Sequence, residues 1–324
     1  MMMCKQAQAI MQIPTGGMDF RRRPHKEKAV VVMGATGTGK SRLSIDVATR
    51  FPAEIINSDK IQLYEGLDIV TNKITEEECG GVPHHLIGIV DPESDFNAGS
   101  FVSMASVAMQ SIVGRRKLPV IAGGSNSFIE ALVDDENFEF RSRYDVCFLW
   151  VDVAMPVLDQ FVFDRVDRMV SAGMVEELRN MYNPNADNSK GIRRAIGVPE
   201  FDSYFHAEYS SSTDQKTREM LLKRAINETK INTCKLGRRQ IKKIHRLIDV
   251  KGWPIHRLDA TKVFQSKGRE ADEAWKELVA GPASMIVNDL LFGVVRYRDF
   301  AAMTEIGGKG IREAEIGAAM ATAN

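Results

Sequence analysis

The amino-acid sequence predicts an α/β fold in which a parallel sheet carries helices on both faces and a helical subdomain is inserted. Three observations indicate this architecture. Short apolar runs alternate with helical patterns from residue 29 onward, and a glycine-rich loop joins the first run to the first helix. Residues 155–250, in contrast, are almost entirely helical in pattern.

Six short segments are strand candidates, most of them apolar. They cover residues 29–33, 54–57, 85–90, 119–122, 146–153 and 255–258. The first four end in turn-forming residues, namely Gly34, Ser58-Asp59, Asp91-Pro92 and Gly123-Gly124. Because ligands of open parallel sheets gather at the carboxyl ends of the strands, we expect the site at these four turns.

The chain divides into four predicted parts. Residues 1–28 lack periodicity and are nearly free of acidic residues, so we expect a flexible tail or a targeting segment there. Residues 29–154 and 251–285 form the predicted core, and residues 155–250 form the helical subdomain. The Gly- and Ala-rich residues 286–324 are expected to be a C-terminal extension.

The composition is that of an ordinary soluble globular protein, with 44% hydrophobic and 27% charged residues. The formal net charge is zero, so any attraction for a polyanion must be local. Cys4, Cys79, Cys147 and Cys234 are scattered, which argues against a zinc finger or a disulfide framework and fits a reducing compartment. No apolar run is long enough to cross a membrane, so no membrane partner is expected.

The glycine-rich loop has the spacing of a P-loop, Gly34-x-x-x-x-Gly39-Lys40-Ser41. Its glycines let several backbone N–H groups converge on one anion at a helix N-terminus. Lys40 adds a point charge, and the hydroxyl of Ser41 can hold Mg²⁺. The loop therefore predicts a phosphate site in a P-loop NTPase-like sheet, and leaves kinases, ATPases, GTPases and transferases open.

Asp59 follows the second predicted strand, beside the P-loop in a doubly wound sheet. It can cap a helix, or it can face the phosphate site as a base. A Walker B aspartate would end an unbroken apolar strand, whereas Asn57-Ser58 interrupt that pattern here.

The P-loop and the residues around Asp59 resemble the isopentenyltransferases that prenylate the N6 amino group of adenine. The matching residues run in family order from about residue 30 to residue 246. Beyond the P-loop they comprise Asn57-Ser58-Asp59-x-x-Gln62-x-Tyr64, Gly66-Leu67-Asp68-Ile69-x-Thr71-x-Lys73, Pro83-His84-His85-Leu86-Ile87, Gly123-Gly124-Ser125 and Arg194-x-Ile196-Gly197.

The resemblance implies transfer of the dimethylallyl group of dimethylallyl diphosphate to adenine N6, with pyrophosphate leaving and Mg²⁺ as cofactor on Ser41. It makes Asp59 the base that accepts an N6 hydrogen, with Lys40 and Arg194 as further catalytic residues. The donor diphosphate is then expected on Gly34, Thr36, Gly37, Thr38, Gly39, Lys40, Ser41, Ser125 and Arg194. His84-His85 are interpreted as structural, because adjacent residues of a strand point to opposite faces.

The acceptor nucleotide needs a cationic site of its own, and the basic helical stretch 217–247 is the best local supply. A solvated helix face is the usual meaning of such a stretch, and anion binding is about equally favoured here. The acceptor is expected on Asp59, Ser58, Gln62, Lys223, Asn227 and Lys230.

The connection from Ile129 to Trp150 favours a free nucleotide as acceptor. Relatives that modify tRNA carry a much longer connection there, with a Q-R-x-x-R signature. Here it is only about twenty residues long and acidic at Asp134-Asp135-Glu136, a poor place for an RNA backbone. The resemblance therefore implies an adenylate isopentenyltransferase of cytokinin biosynthesis that acts on ATP, ADP or AMP, with no tRNA as partner.

Three alternatives stay open: a tRNA dimethylallyltransferase, a nucleotide kinase, and a nucleotide-binding switch without chemistry. The acid-poor leader and the implied plant pathway favour a plastid location, with the cytoplasm as the alternative.

Overall fold

The computed structural model describes residues 26–293. Six strands form one parallel sheet in the order β3-β2-β4-β1-β5-β6. They are β1 (Glu27–Gly34), β2 (Ala53–Asn57), β3 (His84–His85), β4 (Leu118–Ala122), β5 (Tyr144–Asp152) and β6 (Ile255–Asp259). The predicted parallel α/β sheet is confirmed.

Twelve α-helices lie within the described residues. They are α1 (Lys40–Arg50), α2 (Glu76–Cys79), α3 (Ala98–Gly114), α4 (Asn126–Val133), α5 (Phe140–Arg143), α6 (Met155–Ser171), α7 (Met174–Met181), α8 (Val198–Tyr209), α9 (Gln215–Asp249), α10 (Thr261–Gln265), α11 (Gly268–Trp275) and α12 (Gly281–Phe292). A 3₁₀ turn (Gly191–Arg194) precedes α8, and a π turn (Lys276–Ala280) joins α11 to α12.

The two faces of the sheet bury separate apolar layers. In β1, Val31 and Met33 join the layer beneath α3, α4 and the second half of α9, whereas Val30 and Val32 join the layer beneath α1 and α12. Burying one such side chain contributes about 1.5–3 kcal/mol, so this alternation fixes which face each helix covers. The P-loop emerges from the central strand, between the two layers.

Strand β3 is shorter than predicted, because it comprises only His84 and His85 rather than residues 85–90. Leu86 adopts φ 63°, a left-handed conformation that ends the ladder. Within the predicted strand beyond His85, Val90 forms an isolated parallel bridge with Tyr64.

The two histidines have structural partners. The Nε2 atom of His85 lies 2.7 Å from a carboxylate oxygen of Glu54, and Nδ1 of His84 lies 2.8 Å from the carbonyl oxygen of Val82. Glu54 is 3% exposed and also pairs with Arg115 and Lys117. This buried carboxylate ties the edge of the sheet to the end of α3.

Two predicted part boundaries fall inside regular structure. Strand β1 begins at Glu27, two residues before the predicted core, because Glu27 and Lys28 pair with Tyr144 and Asp145. Helix α12 continues past residue 285 to Phe292 and buries Val287 in the core. The rest of the predicted tail and extension lies outside the described residues, and the division into four parts stays a prediction.

Residues 155–250 contain helices and no strand. Helix α9 spans 35 residues, and its contacts run from α8 at one end to α4 and β1 at the other. It therefore links the helical region to the sheet. Among the described residues, no helix has both the length and the apolar character to span a membrane. Cys79, Cys147 and Cys234 are free thiols.

Candidate active site

The P-loop leaves β1 at Gly34 and enters α1 at Lys40. A Cβ atom on Gly34 would lie 2.6 Å from the carbonyl oxygen of Val151, so no side chain fits there. Gly39 has φ 94°, and a Cβ atom on it would lie 2.9 Å from the ring of Trp275. Only glycine satisfies both the backbone and the space at these positions.

Trp275 supports the loop from α11. Its indole Nε1 donates a 2.6 Å hydrogen bond to Asp46 of α1. The guanidinium of Arg42 lies 4.6 Å from the centre of the indole ring, and Trp275 itself is only 2% exposed. The first turns of α1 are thereby packed against a rigid aromatic plane.

The side chain of Lys40 folds back into the loop, where Nζ donates a 2.7 Å hydrogen bond to the carbonyl oxygen of Ala35. Burial lowers the pKa of Lys40 to about 8, with Arg165 lowering it further and Asp59 opposing the change. The pKa of Lys40 is therefore set by burial and by two charged neighbours of opposite sign, the carboxylate of Asp59 and the guanidinium of Arg165.

Asp59 is held at the end of β2 by its own turn. Its backbone N–H donates to Oδ1 of Asn57 at 3.0 Å, and its Oδ1 accepts from the N–H of Ile61 at 3.1 Å. The next N–H, of Lys60, donates to Oγ of Ser125 at 2.8 Å. These bonds attach Asp59 to the turn that follows β4.

The P-loop and Asp59 open into one cavity of about 590 Å³. Its cationic lining residues are Lys40, Arg165, Arg168, Arg194 and Arg239, and its acidic ones are Asp59 and Glu78. A second cavity of about 740 Å³ shares Arg165, Arg168 and Asn72 with it. A cleft with this excess of cations fits anionic ligands.

The structure brings eight of the predicted site residues to the wall of the first cavity. They are Thr36, Gly37, Gly39, Lys40, Ser41, Asp59, Gln62 and Arg194. Arg194 comes from the helical region, and the others come from the P-loop, the start of α1 and the segment after β2, so the cavity lies between the helical region and this edge of the sheet.

Four predicted residues lie behind the cavity wall and not on it: Gly34, Thr38, Ser58 and Ser125. Thr38 is fully buried, and its hydroxyl donates to the carbonyl oxygen of Ala35 at 3.0 Å. Ser58 is also fully buried, and its Oγ has no hydrogen-bond partner. The Oγ atom of Ser125 accepts a hydrogen bond from the N–H of Lys60. These residues lie in the P-loop and in the turns after β2 and β4, and their predicted ligand contacts have no support from this geometry.

The predicted acceptor residues of α9 lie away from the cavity. Lys223 and Asn227 are exposed, and Lys230 forms an ion pair with Asp167 at 2.6 Å. The residues of α9 that do line the cavity are Thr229, Thr233, Leu236 and Arg239. Residues in both sets are three or four positions apart, as on one helix face, but the two sets lie on different faces of α9. Tertiary packing decides which of these faces meets the cavity.

Two cavity cations, Arg165 and Arg168, received no ligand role from the sequence, and Arg239 was included only as one of many basic residues in the stretch 217–247. Arg165 and Arg168 alternate with the buried Val162, Val166 and Met169 of α6, so the pattern indicated only a core stripe with a solvated opposite face. Burial, with a contribution from Arg168, lowers the pKa of Arg165 to about 10. No motif distinguishes such an arginine from a surface residue.

The acidic connection after β4 is partly neutralised. Asp134 pairs with Arg141 and Lys251, and Glu130 pairs with Arg246 and Lys251. The local negative charge is therefore smaller than the sequence suggests, although the connection to β5 holds only two short helices, α4 and α5.

Comparison with known proteins identifies a family for this chain. The IPP transferase family model matches residues 62–141 and 134–246. Adenylate isopentenyltransferase 3, chloroplastic, of Arabidopsis thaliana is 55% identical over 276 residues, covering 84% of this chain and 82% of the relative. Adenylate isopentenyltransferase 5, chloroplastic, is 57% identical over 274 residues, and adenylate isopentenyltransferase 7, mitochondrial, is 53% identical over 265 residues, both from the same plant.

Solved structures support the fold. A eukaryotic dimethylallyltransferase acting on tRNA superposes with a TM-score of 0.68 at 24% identity, covering 82% of this chain and 80% of the other. A tRNA isopentenylpyrophosphate transferase from Bacillus halodurans superposes with a TM-score of 0.65 at 22% identity, covering 82% and 98%. At such identities the likeness concerns the fold alone. The family match and the identity to the plant enzymes together show that this chain belongs to the IPP transferase family.

Proposed function

We infer that this chain transfers the dimethylallyl group of dimethylallyl diphosphate to N6 of a free adenine nucleotide and releases pyrophosphate, as a prenyltransferase of cytokinin biosynthesis. The observation that supports this most is the shared cavity, in which a P-loop and the carboxylate of Asp59 face each other. The names of the plant relatives support the same activity.

In the proposed reaction Asp59 acts on the acceptor and the P-loop acts on the donor. The bond between C1 and the diphosphate oxygen breaks while the bond between C1 and adenine N6 forms. Asp59 accepts the hydrogen that N6 loses, because the amine lone pair is delocalised into the ring and attacks poorly without a base. The P-loop N–H groups, Lys40 and Arg194 stabilise the charge that develops on the leaving pyrophosphate.

The residues around the loop fit Mg²⁺ bound mainly through substrate phosphates. Ser41 is exposed on the cavity wall at the start of α1. Among residues 26–293 no group of three or more His, Cys, Asp or Glu could hold a metal by itself. Mg²⁺ usually takes one or two protein oxygens and completes its shell with phosphate and water. Ser41 would supply that oxygen, and the ion would neutralise the diphosphate.

The acceptor phosphates need cations that the P-loop does not use. Arg168 lines both cavities and Arg239 faces the first, so these arginines replace Lys223 and Lys230 as our preferred ligands of the nucleotide. The short connection between β4 and β5 supports a free nucleotide over tRNA. The chloroplastic and mitochondrial relatives support an organelle, and we propose a plastid.

One assay tests this function. The protein is incubated with Mg²⁺, dimethylallyl diphosphate and either AMP, ADP, ATP or an unmodified tRNA, and products are analysed by mass. We expect N6-dimethylallyl nucleotide and pyrophosphate from the free nucleotides. Prenylated adenosine found only in digests of the tRNA would favour the tRNA enzyme, whereas ADP formed from ATP with a phosphorylated acceptor would favour a kinase.

A further inference from the structure

Gln240 of α9 bridges the P-loop and the turn that follows β4. Its Oε1 accepts a 2.7 Å hydrogen bond from the backbone N–H of Thr36 in the P-loop. Its Nε2 donates a 3.0 Å hydrogen bond to the carbonyl oxygen of Gly124, in the turn after β4. The side chain is only 6% exposed, so both bonds are shielded from water.

The backbone of Gln240 is fixed as well. Its carbonyl oxygen accepts a 3.0 Å hydrogen bond from Nδ2 of Asn126, which is 1% exposed. A Cβ atom on Gly124 would lie 2.3 Å from Nε2 of Gln240, so the side chain fills the space that this glycine leaves. Neither amide end of Gln240 can turn without leaving a buried polar group unpaired.

The bridge continues to the catalytic base. The Cβ position of Gly124 lies 3.3 Å from Oδ2 of Asp59, and the neighbouring Ser125 accepts the N–H of Lys60 at 2.8 Å. Gln240 therefore closes a path from the P-loop, through the turn after β4, to the residue that follows Asp59.

Thr36 is also held from α6, because Nη2 of Arg165 donates to its Oγ1 at 3.0 Å. Its backbone N–H is thus occupied by Gln240 and its hydroxyl by Arg165. Two helices of the 155–250 region fix this one loop residue, and the Thr36 N–H belongs to the bridge and not to the N–H groups open to the diphosphate.

We propose that Gln240 is a positioning residue that sets the distance between the P-loop and Asp59, and hence between the leaving diphosphate and the base. This role rests on the proposed function. Gln240 itself neither gains nor loses a proton and does not line the cavity. Misplacing reacting groups by about 1 Å can cost on the order of 10²-fold in rate.

Gln240→Met tests the bridge, because methionine keeps the length of the side chain and removes both hydrogen bonds. We expect kcat to fall about 10- to 100-fold, and the KM values of donor and acceptor to change by less than about threefold. The matched control is Gln215→Met on the same helix, where the exposed side chain bonds only Glu219 one turn away. The control should keep the kcat of the wild-type protein.

Gln240→Glu distinguishes positioning from a purely structural role. A carboxylate still accepts from Thr36 but cannot donate to Gly124, whereas a protonated carboxyl group does both. Because burial raises the pKa of a carboxyl group, the ratio of its kcat to that of wild type should rise as the pH falls from about 8 to about 6. The same ratio for Gln240→Met should stay constant.

Thermal unfolding of each variant accompanies the kinetics, and if Gln240→Met does not fold, the pH dependence of Gln240→Glu decides. A kcat of folded Gln240→Met within about threefold of wild type, or a constant ratio for Gln240→Glu, would overturn the positioning role alone. Absence of prenylated nucleotide from the wild-type protein would instead reject the proposed function, and the role of Gln240 with it.

Discussion

The ammonium group of Lys40 lies 2.7 Å from the carbonyl oxygen of Ala35, within the loop that is to receive the diphosphate. The loop thus provides a hydrogen-bond acceptor for its own lysine. If the donor diphosphate binds the loop as proposed, it competes with this carbonyl for the ammonium group, and only the protonated form of Lys40 attracts it by charge.

The pH dependence of donor capture should follow Lys40. Its pKa of about 8 in the free protein is lowered from the usual value, so the ammonium is present below about pH 8 and is lost above it. We expect kcat/KM for dimethylallyl diphosphate to fall towards tenfold per pH unit above that value. In Lys40→Arg the fall should disappear, since arginine keeps its charge in this range. If kcat/KM of Lys40→Arg still falls above about pH 8, the fall is due to another group.

Asp59→Asn should lower turnover by about 10²-fold or more, the effect of losing a general base. The amide keeps the shape of the side chain and can still accept from the N–H of Ile61, so the thermal unfolding midpoint should not change. Asp249→Asn, at the exposed end of α9, is the matched control. Near-normal steady-state turnover of Asp59→Asn would remove this residue from the base role.

Substitution of a cavity arginine and of an exposed lysine of α9 should have different effects on the KM for the acceptor nucleotide. Arg168→Ala should raise the KM for ATP about tenfold and the KM for AMP less, because a longer phosphate chain loses a charge-assisted contact. Lys223→Ala, on the exposed face of α9, should change neither value. The reverse pattern would restore Lys223 as a nucleotide ligand. The KM for dimethylallyl diphosphate serves as the internal reference.

Glu54 should stabilise the fold in a pH-dependent way. Burial raises its pKa, but hydrogen bonds from Arg115, His85 and Lys117 outweigh burial and lower the pKa to about 2. A carboxylate whose pKa is lower in the folded state stabilises above its unfolded pKa, and loses that effect as the pH falls towards 2. Glu54→Gln should lower the free energy of unfolding by about 1–2 kcal/mol at neutral pH, because a buried carboxylate loses charge-assisted hydrogen bonds to partners that are themselves partly exposed.

Chemical denaturation at several pH values measures this difference. The difference in free energy of unfolding between wild type and Glu54→Gln should become smaller as the pH falls from about 4.5 towards 2. Glu270→Gln in the first turn of α11, where the side chain is exposed, should show no such gap. A gap that is constant with pH would mean that the carboxylate charge of Glu54 does not contribute.

Most of the fold could be predicted from local patterns. The strands β1, β2, β4 and β5 contain apolar runs that indicate buried strands, whereas β6 (Ile-His-Arg-Leu-Asp) is mostly polar and was predicted from its place after the helical region. The length of β3 could not be predicted, because the left-handed conformation of Leu86 depends on packing and Leu is an ordinary strand residue.

The candidate site was predictable where the chain itself brings residues together. The loop from Gly34 to Ser41 is such a case. The prediction that places the strand before Asp59 beside the P-loop is wrong in strand order, because β4 lies between β2 and β1, yet Asp59 lines the same cavity as the loop. The acceptor side depends on the rotation of α6 and α9 about their axes, which decides that Arg239 and not Lys223 faces the cavity. Gln240 belongs to the same class, since nothing in its neighbourhood in the sequence indicates that its amide spans two turns.

The packing of Trp275 against Gly39 gives the loop a built-in optical probe. Two ring carbons lie against the backbone to which we propose the diphosphate binds, and the indole N–H donates a hydrogen bond to Asp46 of α1. The two other tryptophans of the chain, Trp150 and Trp253, lie in the opposite apolar layer. Emission from a protein in which only Trp275 remains would therefore follow occupancy of the loop in real time, without a labelled substrate and before any bond is broken.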